Sequence, residues 1–137
     1  MRLVLDTNEL IFALNPSQDL SPKLLLKKLI DSFPKHTIHV SQTIMSETRR
    51  NLPAILFSEL IRTTHEIITI EEDALVTFEL GAKYESLGLK PADASIAAFT
   101  EWSGSEILIS ENRHFLSQSS NLPFRVLTAE KALKLIH

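Results

Sequence analysis

The chain has 137 residues, of which 44% are hydrophobic and 23% charged, a composition typical of one soluble globular domain covering residues 1–137. Cysteine is absent, which excludes disulfides, thiolate zinc sites and cysteine nucleophiles and favours a reducing, cytoplasmic location. The net charge of -3 is not the strongly basic balance of constitutive nucleic-acid binders, so binding of a polyanion would need a bound cation or clustered Arg and Lys.

Targeting and membrane segments are not expected. The N-terminus reaches Asp6 and Glu9 before an uninterrupted apolar stretch is built, so it does not resemble a secretory signal. No apolar run approaches the length that spans a membrane.

Strand-like and helical patterns alternate along the first half of the chain. Asp6, Thr7 and Asn8 follow the first apolar run, and their side chains favour helix caps and tight turns. Ser21 is expected to cap the next helix, with Pro22 at its first position. In chain order this half predicts a strand over residues 2–5, a helix over 23–33, a strand over 37–40, a helix capped by Ser41 and reaching Leu52, and a helix over 53–64.

The same alternation continues in the second half. Residues 71–73 are acidic and favour the N-terminus of a helix, and Gly88 closes that element. The predicted elements are a strand over residues 67–70, a helix over 74–86, an Ala-rich helix over 91–102, a strand over 107–110, a short irregular or helical stretch, a strand over 125–127 and a helix over 129–137 capped by Thr128. Together they predict an α/β fold, a three-layer α/β/α sandwich around a mainly parallel sheet.

Only 3 glycines are present, which limits the possible chemistry. Neither a G-x-G-x-x-G turn nor a G-x-x-x-x-G-K-[ST] loop occurs, so the usual backbone cradles for nucleotides are missing. No serine lies in the glycine-flanked elbow of a Ser-His-Asp hydrolase.

Four acidic residues recur at the same end of different βα units. Asp6 and Glu111 follow predicted strands, Asp93 lies in the first turn of the Ala-rich helix, and Glu47 lies on the helix that begins near Ser41. Each acid alone has a structural explanation, as a helix cap, a turn or, for Glu47, a partner of Arg50. The carboxyl ends of parallel strands share one edge of the sheet, so together the acids indicate a site for a divalent metal.

These residues resemble, in order and spacing, the four acidic motifs of the PIN-domain ribonucleases. The matching segments are Leu5-Asp6-Thr7-Asn8, Ser46-Glu47, residues 91–97 from Pro91 to Ala97, and residues 109–115 from Ile109 to Phe115. The resemblance covers nearly the whole chain. Many such proteins are toxins of VapBC-type toxin–antitoxin pairs that cleave RNA.

The resemblance implies a set of site residues. Asp6, Glu47 and Asp93 would be ligands of Mg²⁺ or Mn²⁺, and Thr7, Asn8 and Ser110 would support them. In the fourth motif the family usually has Asp where this chain has Asn112, so Glu111 and Asn112 are both expected among the catalytic residues. The expected products are a 5′-phosphate and a 3′-hydroxyl.

The resemblance also implies partners. These are an RNA substrate, a small antitoxin protein and a second copy of the chain. The apolar residues of the helices within residues 41–64 could supply the surface for a second copy, although a buried core explains them equally well. Arg113 lies inside the fourth motif and is the favoured contact for RNA. The other basic residues near the motifs are Arg49, Arg50, Lys83 and Lys90.

Two alternatives stay open at the level of sequence. Asn112 would suit a catalytically weakened PIN-like module that binds RNA or a protein without cutting. A phosphoacceptor domain of the receiver kind would need a lysine after the last strand, and Lys131 is poorly placed for that role.

Overall fold

A five-stranded sheet with all strands parallel forms the centre of the structure. The computed structural model describes residues 1–136, apart from the side chain of Ser119. Within these residues the strands are β1 Arg2–Leu5, β2 Thr37–Ser41, β3 Ile68–Glu71, β4 Ile107–Ile109 and β5 Arg125–Leu127, in the order β3-β2-β1-β4-β5. The prediction of an α/β fold with a parallel sheet is confirmed.

Helices connect the strands. They are α1 Thr7–Leu14, α2 Ser21–Asp31, α3 Gln42–Arg50, α4 Ala54–Thr64, α5 Phe78–Ser86, α6 Pro91–Trp102, α7 Arg113–Ser117 and α8 Ala129–Leu135, with 3₁₀ turns at Asp73–Leu75 and Ser119–Asn121. Ser41 and Thr128 cap α3 and α8 as predicted, because their hydroxyls accept bonds from the amides of Ile44 and Lys131. The predicted end of the last helix, His137, lies outside the described residues.

The strand order reverses direction at β1. The chain moves from β1 to β2 and β3 on one side, and then returns to β4 and β5 on the other. Right-handed crossovers therefore place α1 to α4 on one face and α5 to α7 on the opposite face, in agreement with the packing of α1 on α2 and of α5 on α6. The carboxyl ends of β1 and β4 form the crevice where α/β proteins bind ligands.

Two local predictions are wrong. The helix expected over residues 74–86 begins only at Phe78, because Val76 is extended and the Thr77 hydroxyl caps α5 by accepting a bond from the Leu80 amide. Ser21 is the first residue of α2 rather than its cap, and the Asp19 carboxylate accepts a bond from the Ser21 amide.

The Ala-rich helix α6 packs closely on the sheet. Ala94, Ala97 and Ala98 are at most 1% exposed, while Ala92 faces outward. Small side chains permit this close approach, which brings the first turn of α6 and Asp93 towards the crevice between β1 and β4. No helix within residues 1–136 has both the length and the apolar character needed to cross a bilayer.

Candidate active site

Asp6 and Ser110 lie side by side where two central strands end. Leu5 pairs with Ile109 in the parallel register of β1 and β4, so the residues that follow are neighbours. The Ser110 hydroxyl donates to Asp6 Oδ2 at 2.8 Å, and the Thr7 amide donates to Asp6 Oδ1 at 2.8 Å. Asp6 also occupies the N-cap of α1, so the structural explanation given from the sequence is confirmed.

Thr7 connects the first motif to α3. Its hydroxyl donates to Glu47 Oε2 at 3.1 Å. The Asn51 side chain, at the end of α3, donates to the Glu47 carbonyl at 2.8 Å. Glu47 therefore faces the end of β1 and does not pair with Arg50.

Asn112 holds the carboxylate of Asp93. Its Nδ2 donates to Asp93 Oδ1 at 3.1 Å, while its Oδ1 accepts a bond from the His114 amide at 2.9 Å. The backbone amide of Asn112 in turn donates to the Ser110 hydroxyl at 3.0 Å. Hydrogen bonds thus connect the first, third and fourth motifs.

These residues surround one open pocket of about 320 Å³. The predicted site residues on its wall are Asp6, Thr7, Asn8, Glu47, Asp93 and Asn112. Ser110 supports the pocket from a fully buried position. Asn51 also lines it but was not predicted, since an Asn that ends a helix has no distinctive sequence signal.

Burial and the neighbouring acids both make the charged form of Asp6 less favourable. Burial raises the pKa of Asp6 above its ordinary value, hydrogen bonds from Ser110 and Thr7 partly offset the rise, and the charges of Asp93 and Glu47 add to it. No Lys or Arg of the described residues lines the pocket to neutralise these acids. A cation is the species that would do so.

The donor set suits a hard divalent cation, because carboxylate, amide and hydroxyl oxygens are the ligands that Mg²⁺ and Mn²⁺ prefer. Among residues 1–136, however, no three side chains of His, Cys, Asp or Glu are placed to hold one ion together. The expected direct grip by Asp6, Glu47 and Asp93 at once is therefore absent from this arrangement. Mg²⁺ usually keeps several waters and needs only one or two direct carboxylates, so the pocket remains compatible with it.

Glu111 does not line the pocket. Its Oε2 accepts a bond from the Ala129 amide at the N-terminus of α8, at 3.2 Å. It also lies beside Glu9 of α1, whose side chain is buried and has no hydrogen-bond donor among the described residues. Burial, and then the contact with Glu111, raise the pKa of Glu9 to about 9, so Glu9 is protonated at neutral pH.

The basic residues named from the sequence lie outside the pocket. Arg49 and Arg50 are exposed in the last turn of α3, and Arg113 is exposed at the start of α7. Lys83 donates to Glu101 at 2.8 Å, and Lys90 is exposed before α6. Lys131 lies on α8 and does not line the pocket, which gives the receiver alternative no support.

Solved structures share this fold. A chain of VapBC2 from Rickettsia felis, bound to a DNA fragment from the promoter, aligns with a TM-score of 0.64 and 19% identity over 93% of this chain and 98% of that chain. VapC20 of Mycobacterium tuberculosis, described as a sarcin-ricin loop cleaving toxin, aligns with a TM-score of 0.57 and 16% identity over 84% and 93%. This chain has the PIN-domain fold of the VapC structures.

The likeness lies in the fold. No protein-family model and no curated protein matches the sequence at a significant level. In the PIN-domain fold of this chain, the strand ends that carry Asp6 and Ser110 meet the N-terminus of α6 that carries Asp93. The acidic motifs read from the sequence thus meet in one pocket of that fold.

Proposed function

We propose that this chain is a metal-dependent endoribonuclease, the toxin of a VapBC-type pair, acting in the cytoplasm. The observation that carries the proposal is the pocket in which Asp6, Glu47, Asp93 and Asn112 face one another at the strand-order reversal of a PIN-domain fold. The similarity in fold to VapC20, described as a cleaving toxin, supports it.

Asp6, Glu47 and Asp93 would hold Mg²⁺ or Mn²⁺ together, with one or two of them in direct contact and the others through its waters. The ion when bound supplies a nucleophilic water at neutral pH and neutralises charge on the phosphodiester. Ser110 and Thr7 fix both oxygens of Asp6, and Asn112 fixes one oxygen of Asp93. Fixed donors of this kind reduce the reorganisation needed when substrate arrives. Cleavage would leave a 5′-phosphate and a 3′-hydroxyl.

An antitoxin and a second copy of the chain are the proposed protein partners. VapBC2, which shares the fold, was solved bound to promoter DNA. On this chain, Ile55 of α4 is 78% exposed and Ile61 is 38% exposed, which offers apolar surface for association. Growth arrest on expression, relieved by a protein encoded next to it, is the expected outcome of a co-expression test.

Substitution of the acids tests the nuclease proposal. We expect Asp6→Asn and Asp93→Asn each to lower Mn²⁺-dependent cleavage of single-stranded RNA by at least about 10²-fold, because each removes a charge that would hold the cation. Asp31→Asn, the same change at an exposed residue of α2, is the matched control and should cleave like the wild type. Wild-type rates in both pocket variants would refute the proposal.

Asn112 favours a second candidate, a PIN-like module that binds RNA or protein without cutting. Its amide lies where the family usually has an acid, so the pocket carries one charge fewer. Calorimetry distinguishes the two candidates: heat from Mg²⁺ or Mn²⁺ binding that disappears in Asp93→Asn supports the enzyme. No metal binding at millimolar concentration supports the module.

A further inference from the structure

A second groove lies between α5 and α6, next to the acidic pocket. It has a volume of about 210 Å³ and is lined by small residues, among them Gly81, Ala82, Ala94 and Ala98. Phe78, the first residue of α5, also lines it and is 87% exposed. Covering a phenyl ring this exposed removes apolar surface from water, which makes the binding free energy of a partner more favourable.

The groove and the acidic pocket are separated by one further depression. A hollow of about 210 Å³ lies between them and shares Glu47, Ala92 and Ile96 with the acidic pocket. The same hollow shares Ser95 with the groove. The three depressions are therefore neighbours along α6 that share wall residues.

The chemistry of the groove suits a flat heterocycle. Small side chains give it depth, and an exposed aromatic ring is a stacking platform for an unpaired base. Glu85 and Asp73 line the groove and carry carboxylate acceptors, although the Thr43 amide and hydroxyl already donate to one oxygen of Asp73. Lys90 is exposed just before Pro91, which lines the groove, so one positive charge lies next to the groove along the chain.

We propose that the groove between α5 and α6 binds an unpaired nucleobase of the RNA, stacked on Phe78, while a nearby phosphate occupies the acidic pocket. The inference rests on the proposed nuclease function and assigns a base subsite to it. Carboxylate acceptors favour bases that present an exocyclic amino group, so cytosine and adenine bind better than uracil. A second copy of the chain is the less favoured occupant, because it would not account for the position of the groove beside the acidic pocket.

Substitution at Phe78 tests the subsite. We expect Phe78→Ala to weaken binding of a short oligocytidylate strand about tenfold, measured by fluorescence anisotropy with Ca²⁺ in place of Mg²⁺ to prevent cleavage. Phe78→Trp keeps a stacking ring and should bind like the wild type. Leu75→Ala removes a neighbouring side chain that is 58% exposed and lies outside the groove, so it serves as the matched control.

Fluorescence gives a direct reading of stacking. In a chain carrying Trp102→Phe and Phe78→Trp, the one remaining tryptophan should be quenched by oligocytidylate more than by oligouridylate. The Trp102→Phe change is conservative, since that ring packs against Phe99 with centroids 6.1 Å apart.

The outcomes separate the two proposals. Unchanged RNA affinity in Phe78→Ala, with cleavage still lost in Asp93→Asn, would overturn the subsite and leave the nuclease standing. A change of oligomeric state in Phe78→Ala without loss of RNA binding would assign the groove to a second copy and also overturn it. Absence of RNA binding by the wild type would overturn both.

Discussion

Both polar atoms of the Asn112 side chain form hydrogen bonds. Its oxygen accepts a backbone bond from His114 and its nitrogen donates to Asp93, so its orientation is determined. A donor therefore lies where a carboxylate would place a second negative charge beside Asp93. Asn112 in place of an acid therefore makes the pocket less negative, which lowers the expected affinity for a cation.

Asn112→Asp should reverse this effect. We expect Mn²⁺ to bind about tenfold more tightly, because another carboxylate joins the donor set. Without metal, the variant should unfold more easily by roughly 1–2 kcal/mol, since a hydrogen bond is replaced by like charges. Calorimetry and thermal denaturation measure the two effects, and Asn121→Asp in an exposed turn is the control. Weaker metal binding would contradict this account of Asn112.

Among the structural elements, α1, the loop after β4 and α8 meet at a pair of acids, the buried Glu9 and the exposed Glu111. Glu9 lies 2% exposed beside Glu111, and Glu111 accepts a bond from the first amide of α8. The negative charge of Glu111 is favourable at that helix N-terminus. Since Glu9 is protonated at neutral pH, it adds no negative charge beside Glu111.

This pair makes stability depend on pH. The pKa of Glu9 is about 9 in the folded chain and 4.5 in an ordinary environment, so its contribution is complete below about pH 4.5 and is lost as the pH rises towards 9. Glu9→Gln keeps a donor without a titrating proton and should be more stable than the wild type at pH 9 by roughly 1–3 kcal/mol. Urea denaturation from pH 6 to 9 measures this, with Glu79→Gln on the exposed face of α5 as control. Equal slopes with pH in Glu9→Gln and wild type would contradict it.

The elements differ in how far local sequence predicts them. The alternation of strands and helices predicted the parallel sheet, and an acid directly after an apolar strand predicted Asp6 at its edge. The split between the 3₁₀ turn and α5 depends on the Thr77 cap. The acidic residues 71–73 favour an earlier helix start, and the prediction followed them instead of Thr77. The partner of Glu111 was not predictable, because Glu9 is 102 positions away in the chain and meets it only through the pairing of β1 with β4.

For the molecule as a whole, the net charge of -3 and the acidic pocket disfavour the binding of RNA, which is itself negatively charged. The exposed cations Arg49, Arg50 and Arg113 lie outside the pocket. If the pocket receives phosphate as proposed, a divalent cation would be needed to offset its negative charge.

Removal of metal should abolish RNA binding as well as cleavage. With EDTA, we expect the affinity for single-stranded RNA to fall at least about tenfold, and with Mn²⁺ restored we expect binding to depend only weakly on salt. Filter binding across a series of KCl concentrations measures both. Tight, strongly salt-dependent binding in EDTA would instead indicate a basic surface as the main RNA contact.

The hydrogen bond between Ser110 and Asp6 joins residues 104 positions apart. During synthesis, β1 leaves the ribosome long before β4 exists, so the second oxygen of that carboxylate lacks its Ser110 donor until about four fifths of the chain has been made. On the proposed function, an interrupted translation product ending before Ser110 would lack both Ser110 and Asn112 of the acidic pocket and should not cleave RNA.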